Sequence, residues 1–338
     1  MKKVVLKDIA QHVGVSTALV SYVLNGQAVE KQVSKENAEK IRLAAIELNY
    51  QPNQVAKSLR MQKTHTIGLV VADINYRFST GITRAIEAEA KRLKYTVIFG
   101  STNEDADKFV ELTNVLVNRQ VDGLILVPGE QSQEQILMLQ RSGIPFVLID
   151  RYFPEIDANY VALANYKAAY DATTYLARTG HKKISFINLE TNLFHLQERN
   201  RGYLDALKDN HLEQRPEWLQ KVRGKFLNED MEGVIKSITN PSDSCDAVFL
   251  ATDTLSIAAL KRFNTLGVKI PEDISLLSFD EADAFDLFYC PVTHGRQPLE
   301  EMGNAAVNTL VGLIDKKKIH KQLSFNSTFV AGKSCRER

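Results

Sequence analysis

The sequence has few of the residues on which metal and redox sites depend. It has three cysteines, which are widely spaced and form no CxxC pair, and its seven histidines are dispersed without the spacing of metal ligands. No run of about 18 apolar residues is present. No apolar stretch of about 7–15 residues follows the first lysines. We therefore expect no metal, no membrane span and no secretory signal, and the odd number of cysteines favours a reducing cytoplasm.

Catalytic signatures are also missing. The sequence contains no GxGxxG, no GxxxxGK[ST], no GxSxG and no HExxH. His181 lies in TGHKKI, between a predicted helix and a predicted strand, where it is expected to bind helix-end carbonyls rather than do chemistry. We expect no enzyme activity and no cofactor.

Charge is distributed unevenly along the chain. Residues 1–60 contain nine Lys and Arg against five Asp and Glu, whereas the remainder contains 33 against 36. A small basic head on a faintly acidic body is typical of a nucleic-acid-binding appendage. A solvated basic face would give the same balance.

The head is predicted to fold as three short helices. Leu6–Val13 has helical apolar spacing and ends at Gly14, which tolerates a positive φ. Ser16 then caps a second helix, and a third runs from near Ser34 to about Leu48. Helix, glycine turn and helix is the helix-turn-helix layout, although two short helices are common in any helical domain. The open face of the second helix carries Thr17, Ala18, Ser21 and Tyr22.

From Thr66 onward, strand-length apolar runs alternate with amphipathic stretches such as Gly81–Lys94, Asp105–Arg119 and Asn165–Thr179. Seven such runs and a late LSFNSTFV predict two α/β lobes built on parallel sheets. Ligands of such sheets bind at the carboxyl ends of the strands. A cleft between the lobes is therefore the expected binding site.

Several motifs together resemble the lac repressor (LacI/GalR) family of bacterial transcription regulators. They are LKDIAQHVGVSTALVSYVLNG, VSKENAEKIRLAAIELNYQPNQVAKSLR, TIGLVVADI, QVDGLILVP, LARTGHKKISFI, LATDTLSIAALKRFNTLGVKIPEDISLLSFDE and the closing SC. The resemblance implies a helix-turn-helix head over residues 1–50, a hinge helix and linker over 51–65, and a periplasmic-binding-protein-like body over 66–338. In this body, lobe 1 covers about 66–163 and 296–324, and lobe 2 covers about 164–295 and 325–338.

The resemblance also implies roles in DNA binding. Thr17, Ala18 and Tyr22 match base-reading positions, and Ser21 lies beside them; many members have arginine where this chain has Tyr22. Leu59 matches the hinge leucine that wedges into the minor groove, although an ordinary anchor onto the body is the alternative. Asn53 is the expected cap of the hinge helix, with Lys57 and Arg60 near phosphates. Val5 replaces the usual capping Thr or Ser, which costs about 1 kcal/mol if nothing substitutes.

The effector cleft is the second site that the resemblance implies. The matching residues combine carboxylates, one guanidinium and aromatic rings: Asp73, Tyr76, Phe78, Asp150, Arg199, Phe226, Thr252, Asp253 and Asp280. Carboxylates and arginine bind sugar hydroxyls and rings stack on a pyranose, but nucleobases and nucleosides use similar groups.

We therefore predict a cytoplasmic, homodimeric repressor, associated with the nucleoid when bound. It binds a near-palindromic operator in double-stranded DNA and responds to a sugar or sugar derivative. A purine- or nucleoside-responsive regulator of the same family is the first alternative, and a cytoplasmic sugar-processing enzyme is a less favoured one. A transporter's solute-binding protein would need an export signal and no basic head.

Overall fold

The computed structural model describes residues 4–51 and 63–337, and the chain divides into two compact units, Met1–Thr64 and His65–Arg338. The described part of the first unit contains α1 (Leu6–Val13), α2 (Thr17–Leu24) and α3 (Lys35–Glu47). These bounds confirm the three predicted helices. No helix in the described ranges is long and apolar enough to cross a membrane.

Local signals position the helices of the head. Gly14 has φ 75° and its N–H donates to the carbonyl of Ala10, which ends α1. The Ser16 hydroxyl accepts the N–H of Leu19 at 3.2 Å and so caps α2. At the other end of α1, Asp8 accepts the N–H of Val5 at 2.8 Å, which compensates in part for the missing capping hydroxyl.

The body has two lobes, each with one six-stranded sheet, which confirms the predicted α/β architecture. The sheet of lobe 1 has the order β11-β5-β4-β3-β1-β2 and is parallel. Its elements are β1 (Thr66–Val71), α4 (Arg77–Arg92), β2 (Thr96–Ser101), α5 (Ala106–Asn118), β3 (Gly123–Leu126), α6 (Gln133–Arg141), β4 (Phe146–Ile149), β5 (Tyr160–Leu163), α11 (Leu299–Ile314) and β11 (Gln322–Phe325).

The sheet of lobe 2 has the order β12-β10-β9-β8-β6-β7 and is parallel except for the pairing of β10 with β12. Its elements are α7 (Asn165–Arg178), β6 (Ile184–Leu189), α8 (Phe194–Asp209), β7 (Leu219–Val222), α9 (Leu227–Ile238), β8 (Ala247–Leu250), α10 (Asp253–Leu266), β9 (Ser275–Ser278), β10 (Thr293–Arg296) and β12 (Thr328–Val330). The chain passes between the lobes after β5, β10 and β11.

The central strands are apolar because helices cover both faces of each sheet. Every residue of β3, β4, β8 and β9 is buried. The predicted start of α4 at Gly81 is wrong, since this helix begins at Arg77. Gly81 lies inside the helix, where a Cβ would be 2.5 Å from Leu299 of α11; the glycine allows close packing of the two helices.

A glycine also determines how closely α7 and α8 pack. A Cβ at Gly202 would lie 2.3 Å from the carbonyl oxygen of Tyr166 and 2.9 Å from the backbone nitrogen of Tyr170. We predict that Gly202→Ala lowers the free energy of unfolding by about 1–3 kcal/mol, because the helix backbones must separate. Gly233→Ala is the matched control, since nothing lies within 4 Å of that position on α9. It should raise stability by up to about 1 kcal/mol. Denaturant unfolding measures the free energy of unfolding of both variants. An equal change in the two variants would contradict the packing argument.

Candidate effector cleft and DNA-binding surface

A cavity of about 150 Å³ lies between the lobes at the carboxyl ends of the strands. Ligands of parallel α/β sheets bind at the carboxyl ends of the strands, an expectation that we call the strand-end rule, and the cavity lies at this position. Seven of the predicted effector residues line it: Tyr76, Phe78, Asp150, Arg199, Thr252, Asp253 and Asp280. Residues from both lobes therefore face one space.

The structure places the other two predicted residues outside this cavity. The Asp73 carboxylate accepts the backbone N–H and the side-chain amide of Asn75 at 2.8 and 2.9 Å, so it stabilises the turn before α4. Phe226 is 46% exposed, and the guanidinium of Arg223 lies 4.5 Å from its ring centroid. Its neighbour Leu227 faces the cavity instead.

Arg199 is the more deeply buried of the two arginines that line the cavity, with 3% of its surface exposed. It donates to the Asn165 side chain at 2.9 Å and to the carbonyl of Ala251 at 2.5 Å, and it lies 3.5 Å from the carboxylate of Asp280. Its guanidinium also stacks 3.5 Å from the Phe279 ring. These contacts hold one planar donor in a fixed orientation.

Three carboxylates surround this guanidinium. Burial raises the pKa of Asp150 to about 6, although Arg151 and Arg199 oppose the rise. Burial and the nearby charge of Asp280 raise the pKa of Asp253 to about 6. Both groups are therefore poised between donor and acceptor states near neutral pH. Asp280 accepts the amide of Gln297 at 2.7 Å, which orients its carboxylate in the cavity.

Several lining residues were missed by the sequence reasoning. Arg151 forms a bidentate pair with Glu104 at 2.7 and 2.8 Å. Both follow the end of a strand, so the strand-end rule alone had enough signal to indicate them. His195 faces the cavity from α8 and Gln297 from the second crossover, directly after β10, and neither position has a local pattern. The remaining unpredicted lining residues are Ala72, Ser79, Val127, Leu189, Leu193, Leu196, Gly224, Leu227 and Thr254.

Of the three remaining predicted residues that line the cavity, Phe78 contributes a ring, and Tyr76 and Thr252 contribute hydroxyl groups. Burial raises the pKa of Tyr76 to about 12, so it stays protonated. The Thr252 hydroxyl accepts the N–H of Leu255 at 3.2 Å and caps α10. The lining thus contains hydroxyls, four carboxylates and two guanidiniums.

Polar contacts join the lobes on both sides of the cavity. Arg77 of lobe 1 binds Glu281 at 2.7 Å and Asp283 at 2.8 Å in lobe 2. On the other side, Glu130 of lobe 1 accepts the hydroxyl of Thr191 and the N–H of Asn192. The cleft is therefore closed over the cavity.

In the head, the predicted base-reading residues lie on one face of α2 (Thr17–Leu24). Thr17 and Ala18 are exposed, and Ser21 and Tyr22 are partly exposed. The Ser21 hydroxyl accepts the amide of Asn25 at 3.1 Å, and the Lys31 ammonium lies 5.9 Å from the Tyr22 ring centroid. Asn53, Lys57, Leu59 and Arg60 lie outside the described residues, so their roles stay predictions.

His181 has the predicted structural role. One ring nitrogen lies 2.9 Å from the carbonyl of Leu176 at the end of α7, and the other lies 2.8 Å from the Ser275 hydroxyl. No group of three or more His, Cys, Asp or Glu side chains that could hold a metal occurs among the described residues.

The raised pKa of Asp150 predicts a pH dependence of stability. The folded carboxyl keeps its proton up to about pH 6, whereas an ordinary one loses it near 3.8. The free energy of unfolding should therefore fall as pH rises through this window. Asp150→Asn should reduce the fall between pH 4.5 and 7.5 by roughly 1–3 kcal/mol. The control Asp171→Asn removes an exposed partner of Lys167 and should keep the wild-type slope. Equal slopes in the wild type and Asp150→Asn would contradict this assignment.

Comparison with known proteins agrees with the two-unit architecture. The model of the lacI family of bacterial regulatory proteins matches residues 5–53, and that of a periplasmic-binding-protein-like domain matches residues 173–335. The ribose operon repressor of Haemophilus influenzae is 33% identical over 309 residues, which cover 90% of each chain. The HTH-type transcriptional regulator RegA of Clostridium acetobutylicum is 31% identical and matches 95% of this chain and 96% of its own.

Solved structures show the same fold. The lac repressor dimer bound to operator and the anti-inducer ONPF has a TM-score of 0.87 at 21% identity, covering 99% of this chain and 100% of that chain. The CelR–cellobiose complex has a TM-score of 0.72 at 26% identity, covering 98% of this chain and 100% of that chain. The chain therefore belongs to the lacI family of bacterial transcription regulators.

Proposed function

We propose that this protein is a repressor that binds a near-palindromic operator as a homodimer and is controlled by an uncharged sugar in the cleft. The observation that carries the sugar assignment is the group of buried and half-buried carboxylates around Arg199. Asp150 and Asp280 share the cavity with this guanidinium. Such a set binds adjacent hydroxyls, because carboxylates accept from a diol while the guanidinium donates to it.

The charges in the cavity argue against an anionic effector. Glu104 is neutralised by its bidentate pair with Arg151, and Arg199 lies beside Asp280. Asp150 lies 3.6 Å from Nε of Arg151 and so shares a cation that Glu104 already neutralises, while Asp253 has no ion pair among the described residues; a negative ligand would meet the repulsion of both carboxylates. An uncharged polyol meets no such cost. This supports a free sugar over a sugar phosphate.

A purine effector is the second candidate, since PurR of Vibrio vulnificus is 30% identical and covers 94% of each chain. Tyr76 and Phe78 line the cavity and are the rings available for stacking on a base. Against this, the cavity has more carboxylates than amides. A base would leave several carboxylate oxygens without hydroxyl donors, which is costly for buried acceptors.

The exposed face of α2 supports sequence-specific DNA binding. Small side chains at Thr17 and Ala18 let the helix backbone approach base edges, and Ala18 suits contact with a thymine methyl. Tyr22 cannot make the bidentate contact of an arginine with guanine. Ordering of the hinge helix on the operator, with Leu59 as a wedge, remains part of this proposal.

Exposed apolar residues support the homodimer. Strand β2 is at the edge of its sheet and exposes Ile98 and Phe99, while Leu287 of lobe 2 is 90% exposed and Tyr289 lies beside it. Apolar groups of this size favour coverage by a second copy. We place the protein in the cytoplasm, and on the nucleoid when it is bound to operator DNA.

Titration with candidate ligands tests the identity of the effector. Calorimetric titration with ribose, glucose, galactose, ribose 5-phosphate, hypoxanthine and guanine should show binding of a neutral sugar and none of the phosphate. Asp280→Asn should weaken that binding about 10–100-fold, since one charge-assisted acceptor is lost. The exposed control Glu217→Gln should bind as the wild type does. Binding of hypoxanthine or guanine alone would favour the purine candidate.

The role of Tyr22 in reading a base pair can be tested by binding-site selection. Selection from random duplex DNA at about 100–150 mM salt should enrich an inverted repeat. Tyr22→Arg should shift one symmetric base pair of this repeat to G·C, because arginine binds the guanine edge with two hydrogen bonds. Glu39→Gln, on the exposed side of α3, should leave the consensus unchanged. An unaltered consensus in Tyr22→Arg would show that this position does not read bases.

A further inference from the structure

A second, larger cavity adjoins the effector cavity. It has a volume of about 320 Å³ and lies between the loops after β3 and β4 on one side and the start of α8 on the other. Arg151, Leu193 and His195 line both spaces. The two cavities are therefore neighbours that share one wall, and we call the larger one the outer chamber.

The shared wall contains two buried nitrogen atoms without a hydrogen-bond partner among the described residues. They are Nδ1 of His195 and Nε of Arg151, of which the latter lies 3.6 Å from the Asp150 carboxylate, too far for a hydrogen bond. His195 is only 6% exposed, and its burial near Arg151 and Arg199 lowers its pKa well below the usual value. Its ring is therefore neutral, with one nitrogen as donor and the other as acceptor. Buried polar atoms are normally hydrogen-bonded, so these two nitrogens are suited to bind an oxygen or hydroxyl of a ligand.

The rest of the outer chamber has the composition of a sugar site. Tyr152 and Phe194 contact each other edge to face, with centroids 5.3 Å apart, and both line the chamber with Phe153. Around these rings are the polar side chains of Glu130, Gln131, Gln133, Glu155, Asn192 and Gln197. Aromatic faces bind the apolar side of a pyranose, and amides and carboxylates bind its hydroxyls. Arg151 is the one cation of this lining, and it is already paired with Glu104.

We propose that the effector is an uncharged O-glycoside with two sugar rings, the second of which occupies the outer chamber. The first ring is held at Arg199 and Asp280, so this inference rests on the proposed function. Near the glycosidic bond, Nε of Arg151 donates to one oxygen of the ligand and His195 binds a neighbouring hydroxyl. Both unpartnered atoms are then satisfied.

A second ring in this position also contacts both lobes. Tyr152 belongs to lobe 1, whereas Phe194 and Asn192 belong to lobe 2. At the rim of the chamber, Glu130 accepts the N–H of Asn192 across the cleft at 2.7 Å. The second ring therefore stabilises the closed arrangement of the lobes as well as adding contacts of its own.

The test is calorimetric titration of the full-length protein with matched one-ring and two-ring sugars. The probes are cellobiose, maltose, lactose, melibiose, sucrose and trehalose, with glucose, galactose and fructose as their one-ring counterparts. Inosine is the nucleoside probe, and ribose is its one-ring counterpart. At least one disaccharide should bind about tenfold or more tightly than either of its component sugars. In Phe194→Ala and Gln133→Ala, the ratio of disaccharide to monosaccharide affinity should fall about tenfold. Phe329→Ala, an exposed ring on β12 away from both cavities, is the control and should keep the ratio.

The outcomes separate the two proposals. Monosaccharide binding without a gain from the second ring overturns the two-ring inference and leaves the sugar-responsive repressor intact. A gain that both outer-chamber variants retain overturns the placement of the second ring. Binding of inosine alone, or of no sugar of either size, overturns both proposals. If Phe194→Ala does not fold, Gln133→Ala on the first turn of α6 decides the placement.

Discussion

The buried guanidinium of Arg199 is the interaction on which the cleft depends. It contacts Asn165 at the first crossover, the carbonyl of Ala251 after β8 and Asp280 after β9. Three segments of the chain are thereby tied at one point on the lobe 2 side of the cavity. A buried cation is stable only when it is paired and hydrogen-bonded. The carboxylates that meet this requirement are also the groups that a sugar needs, so stability and recognition share the same residues.

We propose that closure of the lobes connects this site with control of DNA binding. The closed cleft has a polar contact on each side, at Arg77 with Glu281 and at Glu130 with Asn192. A ligand that touches both lobes strengthens closure by its differential affinity for the closed form. In the family, this change alters the spacing of the two hinge segments in the dimer. A few kcal/mol of coupling between cleft and operator is the magnitude expected for such a device.

Much of the fold was predictable because its signals are local. Gly14 and Ser16 determine the turn and cap between α1 and α2, and the buried central strands have continuous apolar runs. Strands β5, β7 and β10 were missed: β7 lies at the edge of its sheet, and β5 and β10 each end at a crossover between the lobes. In the site, residues directly after strands, such as Asp150 and Asp280, were within reach of the strand-end rule. His195 and Gln297 were not, because their place in the cavity depends on how the two lobes pack.

If the cleft and the operator are energetically coupled, as we propose, the coupling must be reciprocal. The most direct measurement is the affinity of the sugar for the free dimer and for the dimer saturated with its selected operator. Operator DNA should change the sugar dissociation constant by the same factor by which the sugar changes the operator dissociation constant. An identical sugar affinity in the presence and absence of operator would contradict this coupling.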